Sequence, residues 1–197
     1  TVTLGNETTD SITFVDGLGT TGNGSNPGTV VLAGSIFTTN SPMDLGAVGL
    51  TAATSLVTGT GSSAALNVGA VTSNGNALTL NTGTNANADI TVASFDSGGD
   101  ITIINSGGAT FSGSVTAGTV EIQDTNGVVA FLGNTTIETG LTTANKTYGV
   151  SFTGSTSTVA GDTNFLNTGT VILGDADTDS ITFVGGLDTT ATTVDLA

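Results

Sequence analysis

Residues 109–113 read ATFSG, and the same pattern returns as VAFLG at 129–133, VSFTG at 150–154 and TVILG at 170–174. In each segment a large apolar residue lies two positions before a glycine, and the segments follow one another at steps of about 20 residues. A near-constant step of this size is typical of solenoid proteins, in which each coil of the chain stacks on the previous one. The pattern therefore predicts a buried column of stacked side chains. The column consists of Phe111, Phe131, Phe152 and Ile172.

The rest of the sequence predicts short β-strands joined by tight turns. Alternating runs rich in β-branched residues, such as SITFV, DITII and TVEIQ, recur along the chain, and this composition favours strands. Clusters of Gly, Asn and Asp separate the runs and tolerate the positive φ angles of tight turns. We expect an all-β parallel solenoid of about nine coils, each with about 20–24 residues and two strands, whereas a β-sandwich is the alternative. The expected core also includes Ile101, Ile103, Val120, Ile122, Phe14 and Phe183.

A much closer repeat links the two ends of the sequence. TVTLGNETTDSITFVDGLGTT at residues 1–21 returns as TVILGDADTDSITFVGGLDTT at residues 170–190, with 15 of 21 positions identical. Identity this high indicates duplication of a long unit, as in tandem arrays. We therefore interpret residues 1–197 as one solenoid segment, with a repeat unit of about residues 1–169 and the next copy starting at residue 170. GNGSNPG at residues 22–28 predicts a loop inserted at a corner of a coil.

The charge balance excludes several classes of partner. The chain has 16 acidic side chains against a single basic residue, Lys146, and its formal net charge is -15. Binding to nucleic-acid phosphates or to anionic lipids needs several cations. We therefore expect no nucleic-acid partner and no anionic membrane partner. No apolar run approaches the roughly 20 residues that cross a bilayer, so we expect no membrane span.

The residue types present also restrict the chemistry. The sequence contains no His and no Cys, so zinc and haem sites are excluded, and only hard cations such as calcium suit the remaining oxygen ligands. Ser and Thr are poor nucleophiles without an adjacent base. We expect no enzymatic activity, no catalytic residues and no cofactor other than calcium. The arrangements closest to a glycosidase are the carboxylate pair Asp96 and Asp100 and the acidic group at Asp175.

One acidic motif indicates a calcium site. Asp175, Asp177 and Asp179 alternate in GDADTDS, so several carboxylates could converge on one cation within a loop. The motif lacks the glycine and the distal glutamate of an EF-hand loop. The alternative is an Asp-rich turn whose carboxylate oxygens accept backbone N–H groups. In the first copy of the long repeat the corresponding residues are Asn6, Thr8 and Asp10.

Three stretches carry a resemblance to a known group of proteins. They are ALNVGAVTSNGNALTLNTG at 65–83, ADITVASFDSGGDITIINSGGATFSGSV at 88–115 and VAFLGNTTI at 129–137. These stretches resemble the repeat regions of filamentous-haemagglutinin-like exoproteins, autotransporter passengers and giant bacterial surface proteins with β-helical repeats. The resemblance implies a right-handed parallel β-helix, or β-solenoid, displayed outside the cell for adhesion or for building an extracellular layer.

These observations together predict a structural role. We expect a component of an extracellular fibre, an adhesin stalk or a surface layer, which is secreted or held at the cell surface. It would assemble end to end, by self-association or by tandem continuation into a filament. Surface glycans, host cells and neighbouring cells are candidate partners. The alternative is a carbohydrate-binding or carbohydrate-processing β-helix such as a phage tail spike.

Overall fold

The computed structural model describes residues 1–22 and 27–196, and none of these residues is helical. They form 21 short strands, whose pairings are parallel. The strands are β1 (Val2–Leu4), β2 (Ser11–Phe14), β3 (Leu18–Gly19), β4 (Val30–Thr38), β5 (Met43–Leu45), β6 (Val48–Val57), β7 (Leu66–Thr72), β8 (Leu78–Asn81), β9 (Ile90–Asp96), β10 (Ile101–Asn105), β11 (Ala109–Phe111), β12 (Val115–Ile122), β13 (Val128–Phe131), β14 (Thr135–Thr143), β15 (Gly149–Phe152), β16 (Thr156–Val159), β17 (Thr163–Asn164), β18 (Thr170–Leu173), β19 (Ser180–Phe183), β20 (Leu187–Asp188) and β21 (Thr193–Leu196).

The strands stack in three parallel ladders, which we name faces A, B and C. Face A contains β3, β5, the starts of β7 and β9, β11, β13, β15, β18 and β21. Face B contains β1, the starts of β4 and β6, the ends of β7 and β9, the starts of β12 and β14, β16 and β19. Face C contains β2, the ends of β4 and β6, β8, β10, the ends of β12 and β14, β17 and β20.

The chain visits faces A, B and C in turn and so forms a parallel β-solenoid of about eight turns. The predicted solenoid is confirmed, and the β-sandwich is excluded. On face A, stacked residues between Leu45 and Leu196 are 19 to 24 residues apart along the chain. Parallel strands joined by crossovers wind right-handed in nearly all sheets, and the right-handed sense implied by the resemblance stays a prediction.

The prediction of two strands per coil is wrong, because each turn has three. The long strands explain the difference. β12 runs from face B to face C and changes register between Ala117 and Thr119, and β4 does the same between Leu32 and Gly34. Because these strands bend without a cluster of turn residues, the sequence gives little indication of one of the three corners in each of these turns.

The phenylalanine column lies in the core as predicted. Phe111, Phe131 and Phe152 are fully buried and occupy paired positions on face A. The ring centroids of Phe111 and Phe131 lie 5.0 Å apart with an interplanar angle of 11°. Ile101, Ile103, Val120 and Ile122 are buried as expected, whereas Phe14 and Phe183 are only partly buried because they lie in the terminal coils.

The fourth member of the column differs from the prediction. Leu173, rather than Ile172, pairs with Phe152 and continues the stack, whereas Ile172 pairs with Ser151 on the outer side. Successive side chains of a strand point to opposite faces. Since Val171 aligns with the buried Val150, the next inward position is Leu173. The glycine of TVILG follows this residue directly, so the spacing to glycine is one residue shorter here.

Buried hydroxyl groups line the corner between faces C and A. The Oγ1 hydroxyls of Thr58 and Thr82 donate hydrogen bonds to the carbonyl oxygens of Ala64 and Ala88. Ser106 Oγ donates to Thr125 Oγ1 over 2.8 Å in the next turn. These bonds satisfy polar groups that the corner removes from water.

The loop predicted at residues 22–28 includes residues 23–26, which lie outside the described residues. Its flanking strands are β3 on face A and β4, which starts on face B.

Candidate functional site

The two copies of the long repeat lie in the first and last coils. The first copy supplies β1, β2 and β3, and the second supplies β18, β19 and β20. β2 and β19 have the same sequence, SITF, and the same alternation of exposed and half-buried residues. The copies nevertheless lie on different faces: β1 belongs to face B, whereas its counterpart β18 belongs to face A. The repeat is therefore preserved locally, but its position around the solenoid axis changes by one face.

An acidic loop precedes the second strand of each copy and has the same hydrogen bonds in both. In the first copy, Asp10 Oδ2 accepts from the backbone N–H groups of Asn6 at 2.8 Å and Glu7 at 3.2 Å. In the second copy, Asp179 Oδ2 accepts from those of Asp175 at 2.8 Å and Ala176 at 3.1 Å. A carboxylate that accepts two N–H groups stabilises the turn that presents them.

This geometry bears on the predicted calcium ligands Asp175, Asp177 and Asp179. One oxygen of Asp179 already accepts two backbone groups of its own loop, and Asp175 and Asp177 are exposed. Within residues 1–22 and 27–196, no three acidic side chains form a cluster that could hold a metal ion. Calcium binding would require the loop to rearrange or to add carbonyl or water ligands, and it stays a prediction.

Asp96 and Asp100, the other acidic pair, lie beside the corner between faces B and C. Asp96 Oδ1 accepts a hydrogen bond from Ser97 Oγ at 2.9 Å, and Asp100 Oδ1 accepts one from the backbone N–H of Thr119 at 2.8 Å. The second bond joins two consecutive turns. Both carboxylates therefore have structural contacts at the corner.

The C-terminal end of the solenoid carries a depression of about 260 Å³. Its lining consists of Asp179 and of five apolar residues, Leu173, Ile181, Phe183, Leu187 and Leu196. Leu196 is 71% exposed and Leu187 is 42% exposed, and both lie in the last coil of the described residues. The Phe183 ring contacts the Phe165 ring of the previous turn edge-on, with centroids 6.1 Å apart.

Both ends present strand edges with a neighbour on one side only. Among the described residues, β19 and β20 pair with β16 and β17 and with no later strand. β1 and β2 likewise pair only with β4. At the N-terminal end Leu4, Ile12, Phe14 and Leu18 are partly buried against the core. Unpaired edges with apolar side chains favour pairing with a further strand.

The outer surface carries ladders of hydroxyl groups; threonine ladders on the outer faces are expected from the abundance of Thr, but the sequence does not identify their members. Each ladder is formed by residues that pair from turn to turn, which sequence spacing reveals only once the length of every turn is known. On face C the ladder is Ser11, Ser35, Ser55, Thr79 and Thr102. On face B it is Thr116, Thr136, Thr158 and Thr182. Such ladders form a regular polar surface.

Tyr148 and Asp188 have pKa values that are shifted by their surroundings in the fold. Burial raises the pKa of the Tyr148 hydroxyl to about 12, although the N–H of Ala144 donates to it and opposes the rise. The hydroxyl donates to the Ile122 carbonyl oxygen over 2.8 Å. Hydrogen bonds from Thr190 hold the pKa of Asp188 below its ordinary value. Lys146 Nζ lies 3.8 Å from Asp124 Oδ2 at the surface, where such a pair contributes little stability.

Comparison of the chain with protein-family models, curated proteins and solved structures finds no match. The described residues contain no helix long and apolar enough to cross a membrane. The fold and the geometry of the ends are therefore the basis for a functional proposal.

Proposed function

We propose that the chain is a structural β-solenoid segment of an extracellular fibre, an adhesin stalk or a surface layer, and that it assembles end to end. The observation that supports this most strongly is the chemistry of the ends. Leu187 and Leu196 face an open depression at one end, and the strands there have unpaired edges. Further coils stacked on this end would cover apolar surface and satisfy backbone groups in one step.

We also propose that the chain lies outside the cell and is related to filamentous-haemagglutinin-like or autotransporter-like surface proteins. The parallel β-solenoid supports this relationship at the level of the fold. The single cation and the net charge of -15 support a role without nucleic-acid or anionic-lipid partners. We propose a non-enzymatic role, with surface glycans or neighbouring cells as further contacts of the outer faces.

Calcium is the metal that we propose, with Asp175, Asp177 and Asp179 as its ligands. Their carboxylates supply the hard oxygen donors that calcium prefers. A divalent cation would also reduce repulsion between acidic chains that lie side by side.

The end-to-end proposal can be tested with charge variants at the end and on the side of the solenoid. We expect the purified chain to elongate with rising concentration, measured by sedimentation velocity and electron microscopy. Leu187→Lys with Leu196→Lys should abolish elongation, because two cations would be buried at the joint.

The matched control is Val128→Lys with Leu132→Lys. These residues are 46% and 48% exposed, and the control makes the same change of charge away from the ends. Control molecules should elongate normally. A chain that stays monomeric at all concentrations, or equal behaviour of the two double variants, would contradict end-to-end assembly. Cleavage of an oligosaccharide by the purified chain would instead favour the carbohydrate-processing alternative.

A further inference from the structure

The chain contains both neighbours of its repeated motif. The first copy, in β1 to β3, is covered on its C-terminal side by β4 and β5. The second copy, in β18 to β20, is covered on its N-terminal side by β15 to β17. One copy therefore shows the coil that comes after the motif in a stacked array, and the other copy shows the coil that comes before it.

The coil that covers the first copy pairs with it in a defined register. Ile12 lies beside Ile36, Thr13 beside Phe37 and Leu18 beside Met43. Two further bonds fix this register: the Ser35 N–H donates to the Asp10 carbonyl over 2.8 Å, and the Leu18 N–H donates to the Pro42 carbonyl over 3.1 Å. Residues 34–45 thus form a complementary cover for this edge.

A glycine makes the approach of this covering coil close. Gly34 has a φ of +75°, and a Cβ built on it would lie 2.4 Å from the Asp10 carbonyl oxygen and 2.8 Å from that of Glu7. A side chain at this position would collide with the acidic loop beneath it. The sequence that covers the motif must therefore carry a glycine directly before the residues that pair with β2, which start at Ser35.

The second copy keeps the edge that this coil recognises. The six positions that differ between the copies are all in the acidic loop, in the turn before β3 or on outward sites. The inward residues of the covered strands are identical, since Ile12, Phe14 and Leu18 correspond to Ile181, Phe183 and Leu187. β19 has the same sequence as β2, and β20 differs from β3 only in having Asp188 where β3 has Gly19.

We propose that the edge of β19 and β20 is the docking site for a segment with the sequence of residues 34–45, as carried by the continuation of the second copy of the 169-residue unit. This inference rests on the proposed function, in which further coils stack on this end, and it names the segment that supplies the next coil and its register. Ile36 of the bound segment lies beside Ile181, Phe37 beside Thr182 and Met43 beside Leu187. The bound segment covers the depression at Phe183 and Leu187.

One substitution gives this register a recognisable electrostatic signature. Gly19 pairs with Asp44 in the first copy, whereas the residue equivalent to Gly19 in the second copy is Asp188. The register therefore brings Asp44 of the bound segment beside Asp188. Like charges directly opposite each other on adjacent strands are unfavourable, so Asp44→Asn in the segment strengthens docking, most of all at low salt.

The test uses the full chain extended after Ala197 by its own residues 34–72. The chain has no cysteine, so a single engineered pair can report the register. Thr182→Cys together with Phe37→Cys in the added segment should form a disulfide under mild oxidation, since adjacent strands bring paired residues within the Cα distance that a disulfide tolerates.

The matched control is a misaligned pair, in which Thr182→Cys is combined with Ser35→Cys in the added segment instead of Phe37→Cys. A second aligned pair combines Ser180→Cys with Ser35→Cys in the added segment. In the proposed register Thr182 and the added Ser35 are two residues out of alignment, so their disulfide should form at least about tenfold more slowly than the two aligned ones. Equal rates for aligned and misaligned pairs, or no disulfide in any variant, would overturn the inference.

Two further measurements separate this inference from the proposed function. In the extended chain, Asp44→Asn in the added segment should accelerate disulfide formation at low salt, and the difference should vanish at high salt; the absence of this effect would contradict the register. If the unextended chain elongates end to end but the extended chain forms no aligned disulfide, only the docking register is refuted. If the extended chain forms the aligned disulfides but the unextended chain does not elongate, only the proposed assembly is refuted.

Discussion

The aromatic rings of Phe131 and Phe152 stack with their centroids 4.8 Å apart and their planes 12° from parallel. Adjacent strands of a sheet are separated by about the same distance. Each ring therefore contacts the equivalent ring of the next turn, and the side chains repeat the spacing of the backbone. This agreement makes the column both a packing unit and a constraint on the register of three consecutive coils.

We predict that Phe131→Ala lowers the free energy of unfolding by about 3–5 kcal/mol, because it leaves a cavity between two rings that cannot collapse onto each other. Phe131→Asp should cost more than about 4 kcal/mol, since a carboxylate would be buried without a partner. Urea unfolding followed by circular dichroism measures both. Leu132→Ala is the control, because Leu132 is 48% exposed; a similar loss in the control would argue against the column as the core.

Gly5 and Gly75 provide a matched test of close packing between turns. Their φ angles are +76° and +78°, but a Cβ on Gly5 would lie 2.2 Å from the Ala33 carbonyl oxygen, whereas one on Gly75 would meet nothing within 4 Å. Gly75→Ala should cost about 1–2 kcal/mol from backbone strain alone. Gly5→Ala should cost clearly more, because the next coil must also move. Equal losses in thermal or urea unfolding would show that the first coil does not pack as described.

The acidic loops can be tested through the aspartates that accept their N–H groups. Asp10→Ala and Asp179→Ala should each lower the free energy of unfolding by about 1–2 kcal/mol, because two backbone N–H groups lose their acceptor. Asp177→Ala is the control, since Asp177 is exposed and stands where the first copy has Thr8. If Asp177→Ala lowers the free energy of unfolding only when calcium is present, this result would instead support the proposed calcium site.

Tyr148 should make the protein less stable in alkali. Its pKa is raised from 10.0 to about 12, so the folded state favours the neutral hydroxyl. The associated stability is fully present below pH 10 and is lost as the pH rises through about 12. The loss should approach about 3 kcal/mol, since one pKa unit corresponds to about 1.4 kcal/mol.

Absorbance of the phenolate can measure this directly, because Tyr148 is the single Tyr and the chain has no Trp. The midpoint should lie near pH 12 in the folded protein and near 10 after unfolding. Tyr148→Phe should remove the alkaline loss, although it also removes the hydrogen bond to Ile122. A midpoint near 10 in the folded protein would contradict burial of the hydroxyl.

Calcium should promote association of the acidic chains. Light scattering in calcium should exceed that in excess chelator, because a divalent cation bridges carboxylates and screens the net charge of -15. Asp175→Asn with Asp177→Asn should remove the difference if these residues are the ligands. Identical scattering under both conditions would contradict a structural role for calcium.

The all-β solenoid and its phenylalanine column could be predicted because large apolar residues before glycine recur at the length of one turn. The assignment of Ile172 was wrong because it was aligned by the following glycine, whereas the alternation of the strand selects Leu173. The third strand of each turn was missed because β12 bends at Gly118 without a turn sequence. Pairing of side chains between turns, including the hydroxyl ladders, depends on turn lengths that vary and cannot be read from one local pattern.

The shift of the long repeat from face B to face A determines the symmetry of any array of such units. From β1 to β18 the chain completes seven and two-thirds turns. If units of 169 residues follow one another, each would rise about 37 Å along the axis and rotate the pattern by one face. Three units would then restore the original orientation, so a fibre of this sequence would have the symmetry of a threefold screw. Its acidic loops would wind around the axis as a helix, and a partner could approach the fibre from any of its sides.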